Sequence, residues 1–308
     1  PESNGKSDIV SFFFRLAFEK LRNRGCLGLI ATKTIAQGDT RSAGLTFIAT
    51  HGGVIFCARK KFPWPGVASV AVSVVHISRG EPNVTKYLDG QIVDRISAFL
   101  FFQGSDTDPA PQRANLNHAF QGCNISGQGF LFDDGDDGAT PTSVMRDLIA
   151  SEPSYATRIR PFVGGDEINS RPDTSSDRFV IGFGRLSLEE VDDKWPKLVS
   201  ILREKVKPDR ERRPKNIQSI ALAKRWWQWH TDRPTFQSAS DGMSRIIVGS
   251  MVTAHFCFVF QPTNRVFGHT LNLFALDSCS AFASMQSRVH EVWVRFFASS
   301  LEDRLRYK

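Results

Sequence analysis

Ten basic residues lie close together between Arg203 and Arg233, and they form the strongest chemical signal in this 308-residue chain. Only four acidic residues oppose them, so this basic block carries most of the chain's net charge of +7. A local basic block on a near-neutral body is typical of a surface that binds a polyanion. Mixed charges of this kind also suit a solvated helix face. The sequence leaves both interpretations open and slightly favours contact with nucleic acid.

Aromatic residues interleave with the basic block at Trp226, Trp227 and Trp229, followed by His230. Aromatic side chains among cations often stack on nucleic-acid bases. Trp226 and Trp229 are three positions apart, however, and would share one face of a helix. This spacing favours packing in a core over base stacking.

No complete catalytic or metal-binding motif occurs in the sequence. The acidic run at 133–138 resembles a calcium loop, but Gly135 and Val144 stand where that loop needs Asp or Asn and Glu. His290 begins a zinc-protease motif whose second histidine would stand at Val294. We therefore expect a solvated turn at 133–138, no metal site and no catalytic residue.

Composition narrows the class of protein. A content of 41% apolar and 23% charged residues excludes wholesale disorder. No apolar run approaches the ~18 residues of a membrane-spanning helix, and the first residues lack a secretory signal. The five cysteines are widely spaced and include no C-x-x-C pair, which argues against a disulfide framework or a zinc ribbon. These features predict a cytoplasmic protein with no membrane partner.

The elements that must position these residues fall into two regions of different character. The first 80 residues predict half of a doubly wound α/β sheet, and the continuous apolar strand at 26–31 is typical of a buried parallel sheet. Short strands, helices and Gly- or Pro-rich loops follow, which indicates a mixed α+β domain. The predicted helices are 8–22, 40–50, 186–206 with a break at Trp195–Pro196, and 280–300; the predicted strands are 26–31, 54–58, 68–77, 98–102, 179–183, 246–252, 255–260 and 266–276.

Several blocks of the sequence are specific enough to name a family. The stretch from Gly28 to Arg41 resembles a block of the MmeI-like DNA methyltransferases. These enzymes of type II restriction-modification and phage-defence systems fuse a methyltransferase domain to a target-recognition domain. The resemblance covers nearly the whole chain in the family's order. The further similar blocks are 62–66 with 70–76, 120–122, 162–172, 225–227, 274–277, 299–301 and 304–307.

The resemblance implies a fold and a domain order. The expected fold class is an α/β remnant, the last strands of a class I methyltransferase Rossmann-like sheet, followed by an α+β target-recognition domain. The expected limits are 1–80 for the C-terminal part of the S-adenosylmethionine-dependent methyltransferase domain, 81–262 for the DNA target-recognition domain, and 263–308 for a C-terminal segment with an amphipathic helix.

Two motifs that the family uses for chemistry do not occur here. Neither the glycine motif that binds S-adenosylmethionine nor the Asn-Pro-Pro-Phe/Tyr motif is present, so the chain is expected to begin just downstream of the latter. We expect no cofactor bound by this chain alone and no methyl transfer by it, with S-adenosylmethionine used by the full-length enzyme. Upstream methyltransferase and nuclease domains of the same protein are then its expected covalent partners.

The resemblance and residue chemistry together give the candidate site residues. Phe62 and Trp64 are expected in a target-base pocket that stacks on a flipped adenine, although a packed turn explains them equally well. Lys33 departs from the Asn common in the family, which makes a polar role there uncertain. Lys205, Lys207, Arg210, Arg212, Arg213, Lys215 and Arg225 are predicted to contact DNA phosphates. Asn169, Arg171, Arg245, Thr253, His255, Asn264, Arg265, His269 and Asn272 are the candidates for base readout, each with a structural or solvent role as its alternative.

The resulting hypothesis is the DNA sequence-recognition part of a site-specific adenine-N6 methyltransferase that binds double-stranded DNA. The alternative is a non-catalytic nucleic-acid-binding or assembly module. A third reading has the charged surface bind a protein partner. DNA-binding titrations distinguish the three. A preferred site favours the first, a steep salt dependence without a preferred site favours the second, and no DNA binding at low salt favours the third.

Overall fold

The computed structural model describes residues 7–68, 70–106, 108–110, 112–301 and 304–307. The chain divides into two compact units, residues 1–111 with 291–308 (unit 1) and residues 112–290 (unit 2). These units are defined by contacts alone, so the functional domain limits of 1–80, 81–262 and 263–308 stay a prediction. The α-helices are α1 Val10–Glu19, α2 Gly38–Arg41, α3 Phe47–Thr50, α4 Thr142–Ser151, α5 Gly165–Ser170, α6 Leu188–Lys194, α7 Pro196–Lys205, α8 Lys207–Arg212, α9 Ile217–Lys224, α10 Pro234–Ala239, α11 Cys279–Met285 and α12 Arg288–Phe297. The strands are β1 Cys26–Thr32, β2 Gly53–Pro63, β3 Ala71–Arg79, β4 Lys86–Leu88, β5 Gln91–Val93, β6 Ala119–Gln121, β7 Leu131–Phe132, β8 Ile159–Val163, β9 Phe179–Ile181, β10 Arg245–Ser250, β11 Val252–Thr253, β12 Phe258–Pro262, β13 Val266–Phe267, β14 Leu271–Phe274, β15 Ser299–Leu301 and β16 Arg304–Arg306.

Helix α1 forms where the apolar spacing predicts it, but a different face is buried. Phe14 and Phe18 enter the core of unit 1. Phe12, Phe13 and Leu16, which set the predicted spacing, are exposed. The helix carries apolar residues on more than one side, so periodicity alone could not select the inward face.

The sheet of unit 1 has the strand order β1-β3-β2-β4-β5. Strand β3 runs antiparallel to both β1 and β2. The expectation of a buried parallel strand at 26–31 is wrong for the described residues, because β1 is an edge strand with one neighbour and Ile30 is 51% exposed. The apolar run at 26–31 therefore has one face packed against the core, through Leu27, Leu29 and Ala31, and one face that is more exposed.

The second helical segment is continuous from Gly38 to Thr50, with a π-helical turn over Ser42–Thr46 between α2 and α3. This agrees with the predicted helix at 40–50. The predicted strand at 98–102 is wrong. Its residues are largely buried, but Leu100 has a positive φ of 57° and the segment turns back on itself without pairing into a sheet.

Unit 2 contains two four-stranded sheets, with the strand orders β12-β10-β14-β6 and β13-β8-β9-β7. Helices α6 and α7 confirm the predicted helical segment and its break at Trp195–Pro196, where the proline occupies the first turn of α7. The single helix predicted over 280–300 is instead two helices, because the chain leaves helical geometry between Met285 and Arg288. The architecture is mixed α/β with several sheets.

No helix in the described ranges is long and apolar enough to cross a membrane. Those same residues also contain no group of three or more His, Cys, Asp or Glu side chains that could hold a metal ion. The acidic run at 133–138 forms a turn in which Asp133 and Asp136 accept hydrogen bonds from Gly135 and Gly138 backbone N–H groups.

Candidate nucleic-acid interface

The exposed cations of the basic block lie on and between the short helices α8 and α9. Arg212 and Lys215 are exposed, and neither makes a hydrogen bond or ion pair with another described residue. Arg213 binds the Asp209 carboxylate at 2.6 Å and the Ser126 hydroxyl at 2.8 Å. A shallow groove of about 310 Å³ runs along this surface. Arg213, Lys215 and Lys224 are among the residues that line it, so the groove is rich in positive charge.

Two further predicted phosphate contacts remain accessible but are partly engaged. The Lys205 ammonium donates to the Ala139 carbonyl at 2.7 Å, and its side chain is half-buried. Lys207 lies 3.9 Å from the Glu211 carboxylate, an exposed pair one helical turn apart. Such exposed pairs are weak, so Lys207 can exchange its partner for a phosphate at little cost.

Arg210 does not fit the phosphate contact predicted from the sequence. Its side chain is only 1% exposed. The guanidinium donates to backbone carbonyl oxygens on two segments: Arg225, Trp226 and Gln228 on one, and Ile125 and Ser126 on the other. Burial, followed by the nearby charges of Arg213 and Arg225, lowers its pKa to about 10. Arg210 is a structural group.

The tryptophans confirm the core interpretation. Trp226 and Trp229 are 5% and 7% exposed and belong to the main core of unit 2. The Trp229 indole N–H donates to the Ile181 carbonyl at 2.9 Å, and that of Trp227 donates to Leu186 at 3.0 Å. The three tryptophans follow α9 in a turn and are not helical. Trp226 and Trp229 are therefore buried by the course of that turn and do not share a helix face. Both are too buried for base stacking, and Trp227 is half-buried.

His230 lies at the end of this turn beside Arg225, whose guanidinium donates to the His230 carbonyl at 3.3 Å. Burial, followed by the charges of Arg225, Arg210 and other arginines, lowers the pKa of His230. The imidazole is therefore neutral at pH 7. The positive charge of the surface comes from lysine and arginine.

A second group of candidate residues depends on the loop and short helix at 164–171. Glu167 is 4% exposed and binds Arg178 through both carboxylate oxygens, at 2.7 and 2.6 Å. It also accepts the Gly164 backbone N–H at 2.8 Å. Burial alone would raise the pKa of Glu167, but these hydrogen bonds and the Arg178 charge outweigh it and lower the pKa. The ion pair fixes the start of α5.

Helix α5 presents Asn169 at the edge where β10 ends and β14 begins. The Asn169 amide donates to the Ser250 hydroxyl at 3.2 Å and to the Val252 carbonyl at 3.3 Å. The Gly165 N–H donates to the Thr270 hydroxyl at 2.9 Å, which ties α5 to the neighbouring loop. Asn169 remains exposed on this polar edge.

Four more predicted base readers lie near the same edge. His255 and His269 are exposed, whereas Asn272 on β14 is half-buried. Thr253 is 7% exposed and donates to the His255 carbonyl at 2.6 Å, so it shapes the loop and does not face a ligand. The sequence did not single out Ser250 and Thr270, because isolated hydroxyl residues carry no motif.

Of the remaining predicted readers, Arg245, Asn264 and Arg265 lie at the other end of β10, and Arg171 follows Asn169 at the end of α5. Arg245 starts β10, donates to the Asp277 carbonyl at 3.1 Å and stacks over Phe260. Arg265 donates to Gln261 at 2.7 Å, and Asn264 beside it is exposed. Arg171 pairs with the Asp177 carboxylate at 2.7 Å. Because β10 advances ~3.4 Å per residue, its Arg245 end lies roughly 17 Å from its Ser250 end.

The predicted target-base residues lie in unit 1, at the end of the hairpin formed by β2 and β3. Phe62 is half-buried beneath the Arg59 guanidinium, 4.5 Å from the ring centre. Trp64 is 40% exposed, and its backbone N–H donates to the Val70 carbonyl at 2.9 Å. Trp64 therefore has accessible ring surface, while Phe62 is already occupied on one face.

The family model described as "MmeI, target recognition domain" matches residues 128–308. No curated protein sequence matches. A solved structure of the type IIL restriction-modification enzyme MmeI in complex with DNA is similar at 19% identity with a TM-score of 0.76. That similarity covers 99% of this chain and 41% of the MmeI chain, so the present chain spans less than half of its structural relative.

A type IIG restriction endonuclease, BpuSI, aligns over 99% of this chain and 41% of its own at 11% identity. Its TM-score is 0.31, which is too low to bear on the fold. The agreement of the MmeI family model with more than half of the chain is decisive. The chain belongs to the MmeI target recognition domain family.

Proposed function

We propose that this chain is the DNA sequence-recognition part of a site-specific adenine-N6 methyltransferase of a restriction-modification or phage-defence system. The observation that carries the proposal is the family match over residues 128–308, which includes both the basic surface and the polar edge around Asn169. Similarity to a MmeI structure that contains DNA supports double-stranded DNA as the partner.

The two kinds of contact have separate places in unit 2. Arg212, Arg213 and Lys215 offer charge on exposed short helices, which suits phosphate contacts that give affinity without sequence information. The N–H₂ group of Asn169 is held at the polar edge by Ser250 and Val252, which leaves its side-chain oxygen to accept a hydrogen bond from a base, or its N–H₂ group to exchange a partner for adenine. We retain Asn169, His255, His269, Asn272, Arg171, Arg245, Asn264 and Arg265 as proposed base readers and omit Thr253.

In unit 1, the order of helix, strand, helix, strand and hairpin strand supports the interpretation of a methyltransferase remnant. Trp64 is the stronger proposed contact to a flipped base, because it has accessible ring surface. The glycine motif that would cradle S-adenosylmethionine does not occur in the sequence, so the residues of this chain do not fit the cofactor.

Selection of preferred sites from a random duplex pool, followed by salt titrations, tests the proposal. We expect Asn169→Ala to change base preference with little change in salt dependence. Arg212→Ala with Arg213→Ala should weaken binding to all sequences and reduce the salt slope by about 2 if each contacts one phosphate. Asn23→Ala, an exposed amide in unit 1, is the control. A steep salt slope with no preferred site would favour the non-specific module instead.

A further inference from the structure

A cavity in unit 1 collects positive charge that the proposed function does not use. It has a volume of about 130 Å³ and is lined by Lys33, Lys60, Lys61 and Arg295 together with Gln37, Ser73 and aromatic rings. Among the residues that the structure describes, no Asp or Glu lines it. A cavity of this size with several cations in its wall is suited to a small anion.

A bulge in β2 brings two of the lysines together. Arg59 pairs with Val74 and Phe62 with Val72, so Lys60 and Lys61 both stand opposite Ser73. Lys61 adopts a positive φ of 50°, and its backbone N–H donates to the Ser73 hydroxyl at 3.4 Å. A bulge redirects side chains that a regular strand would place on opposite faces. Here it lets consecutive lysines line one cavity.

The positive charge of this cavity is partly balanced, because the Arg295 guanidinium donates to the Glu291 carboxylate at 2.8 Å. Lys60 donates to the Leu100 carbonyl at 3.2 Å and lies 3.9 Å from the Asp89 carboxylate. Partial burial, followed by the charges of Lys33 and Lys60, lowers the pKa of Lys61. Like charges held this close repel one another, and a bound anion would relieve that repulsion.

A polar side chain in the wall points to the same conclusion. Gln37 lines the cavity, and its side-chain oxygen is buried without a hydrogen-bond partner. Rotation of the amide would present its N–H₂ group instead, which donates to an anion. A buried polar atom without a partner is uncommon and indicates a missing ligand or water.

We propose that this cavity binds a phosphate group of a DNA strand through Lys33, Lys60 and Lys61. The inference rests on the proposed function for the source of the phosphate. Lys61 directly precedes Phe62 on β2, so the contact would anchor the strand beside the predicted base-stacking aromatic residues.

The test compares the whole 308-residue chain with a Lys33→Gln, Lys61→Gln variant in duplex-binding titrations over a range of salt. Losing one phosphate contact should reduce the salt slope by about 0.9, equally for all sequences. The matched control is Lys20→Gln with Arg22→Gln, which removes two exposed charges from the end of α1 and its following loop. Thermal unfolding of each variant checks folding. Equal Tm values for this variant and its control would show that a change in the salt slope does not come from a loss of folding.

A second arm identifies the source of the phosphate. Inorganic phosphate is titrated against chloride at matched ionic strength, with Tm as the readout. Stabilisation of the wild-type chain but not the lysine variant, with an unchanged DNA salt slope, would show a site for free phosphate and overturn the assignment to DNA. An unchanged slope with no phosphate effect overturns the site itself. If the wild-type chain binds no DNA at low salt, the proposed function fails as well. The wild-type titration alone therefore separates failure of the proposed function from failure of the phosphate site.

Discussion

Replacing Arg210 should destabilise unit 2 far more than replacing any exposed cation of the same block. In Arg210→Met the side chain keeps much of its length and loses every donor. The carbonyls of Gln228, Ile125 and Arg225, now 2.7, 3.1 and 3.2 Å from the guanidinium, would be left without this partner. Each buried carbonyl without a donor costs about 1–3 kcal/mol.

The total loss is smaller than the sum of those costs. Burying a guanidinium is itself unfavourable, and Met removes that penalty. We therefore expect a net loss of about 3–5 kcal/mol in the free energy of unfolding, as for other broken buried charge networks. For a unit of this size, that loss lowers Tm by roughly 10 °C or more. Arg210→Lys keeps the charge but has only three donors, so its loss should be intermediate.

Urea and thermal unfolding followed by tryptophan fluorescence measure this effect, because Trp226 and Trp229 are buried in the same core. Arg212→Met is the matched control, an exposed arginine two positions away whose loss should stay within about 0.5 kcal/mol. Equal unfolding free energies for the two variants would refute the structural role of Arg210. So would an Arg210→Met variant with wild-type stability and weakened DNA binding.

Two further substitutions test the framework of the polar edge. Glu167→Gln should cost about 3 kcal/mol at pH 7, because it breaks a buried ion pair. The folded-state pKa of Glu167 is lowered, so its contribution to the free energy of unfolding is present above the unfolded value of 4.5 and is lost as pH falls through the folded value. The unfolding free energies of the wild-type chain and Glu167→Gln should therefore converge in acid. The control is Asp166→Asn, which replaces an exposed carboxylate and should show no such convergence. Gly122→Ala should cost about 1–3 kcal/mol, because a Cβ there would lie 2.1 Å from the Gly268 carbonyl oxygen. Gly135→Ala meets nothing closer than 3.4 Å and serves as its control, so equal Tm values for the two alanine variants would contradict this packing.

The sequence predicts the positions of helices better than it predicts which residues are buried and which segments pair into sheets. The break between α6 and α7 was readable, because Pro196 limits where a helix can continue. The apolar run at 98–102 predicts a strand, and this prediction is wrong, because apolar runs occur in buried turns as well. There the Ala98 N–H is satisfied by the Asp106 carboxylate at 2.6 Å, a partner that no local pattern reveals.

The candidate site was predictable as a composition and not as an arrangement. Charge density marked the basic block, and helical or aromatic spacing favoured a core role for the tryptophans. Nothing in the sequence separates Arg210 from Arg212, since the acceptors of Arg210 are backbone carbonyls up to 85 residues away. Similarly, Lys60 and Lys61 are neighbours in the sequence, but only the bulge in β2 shows that both face one cavity.

Strand β10 has a consequence for how this protein family can change. Its middle residues, Ile246 to Val248, are fully buried, while the proposed readers lie around its two ends. Substitutions at one extremity leave the buried middle and the other extremity untouched. A span of roughly 17 Å corresponds to about five base pairs of B-DNA. If the proposed readers contact bases, mutations at the two ends can accumulate separately, and the preference for one base pair can change without cost to the rest of the site.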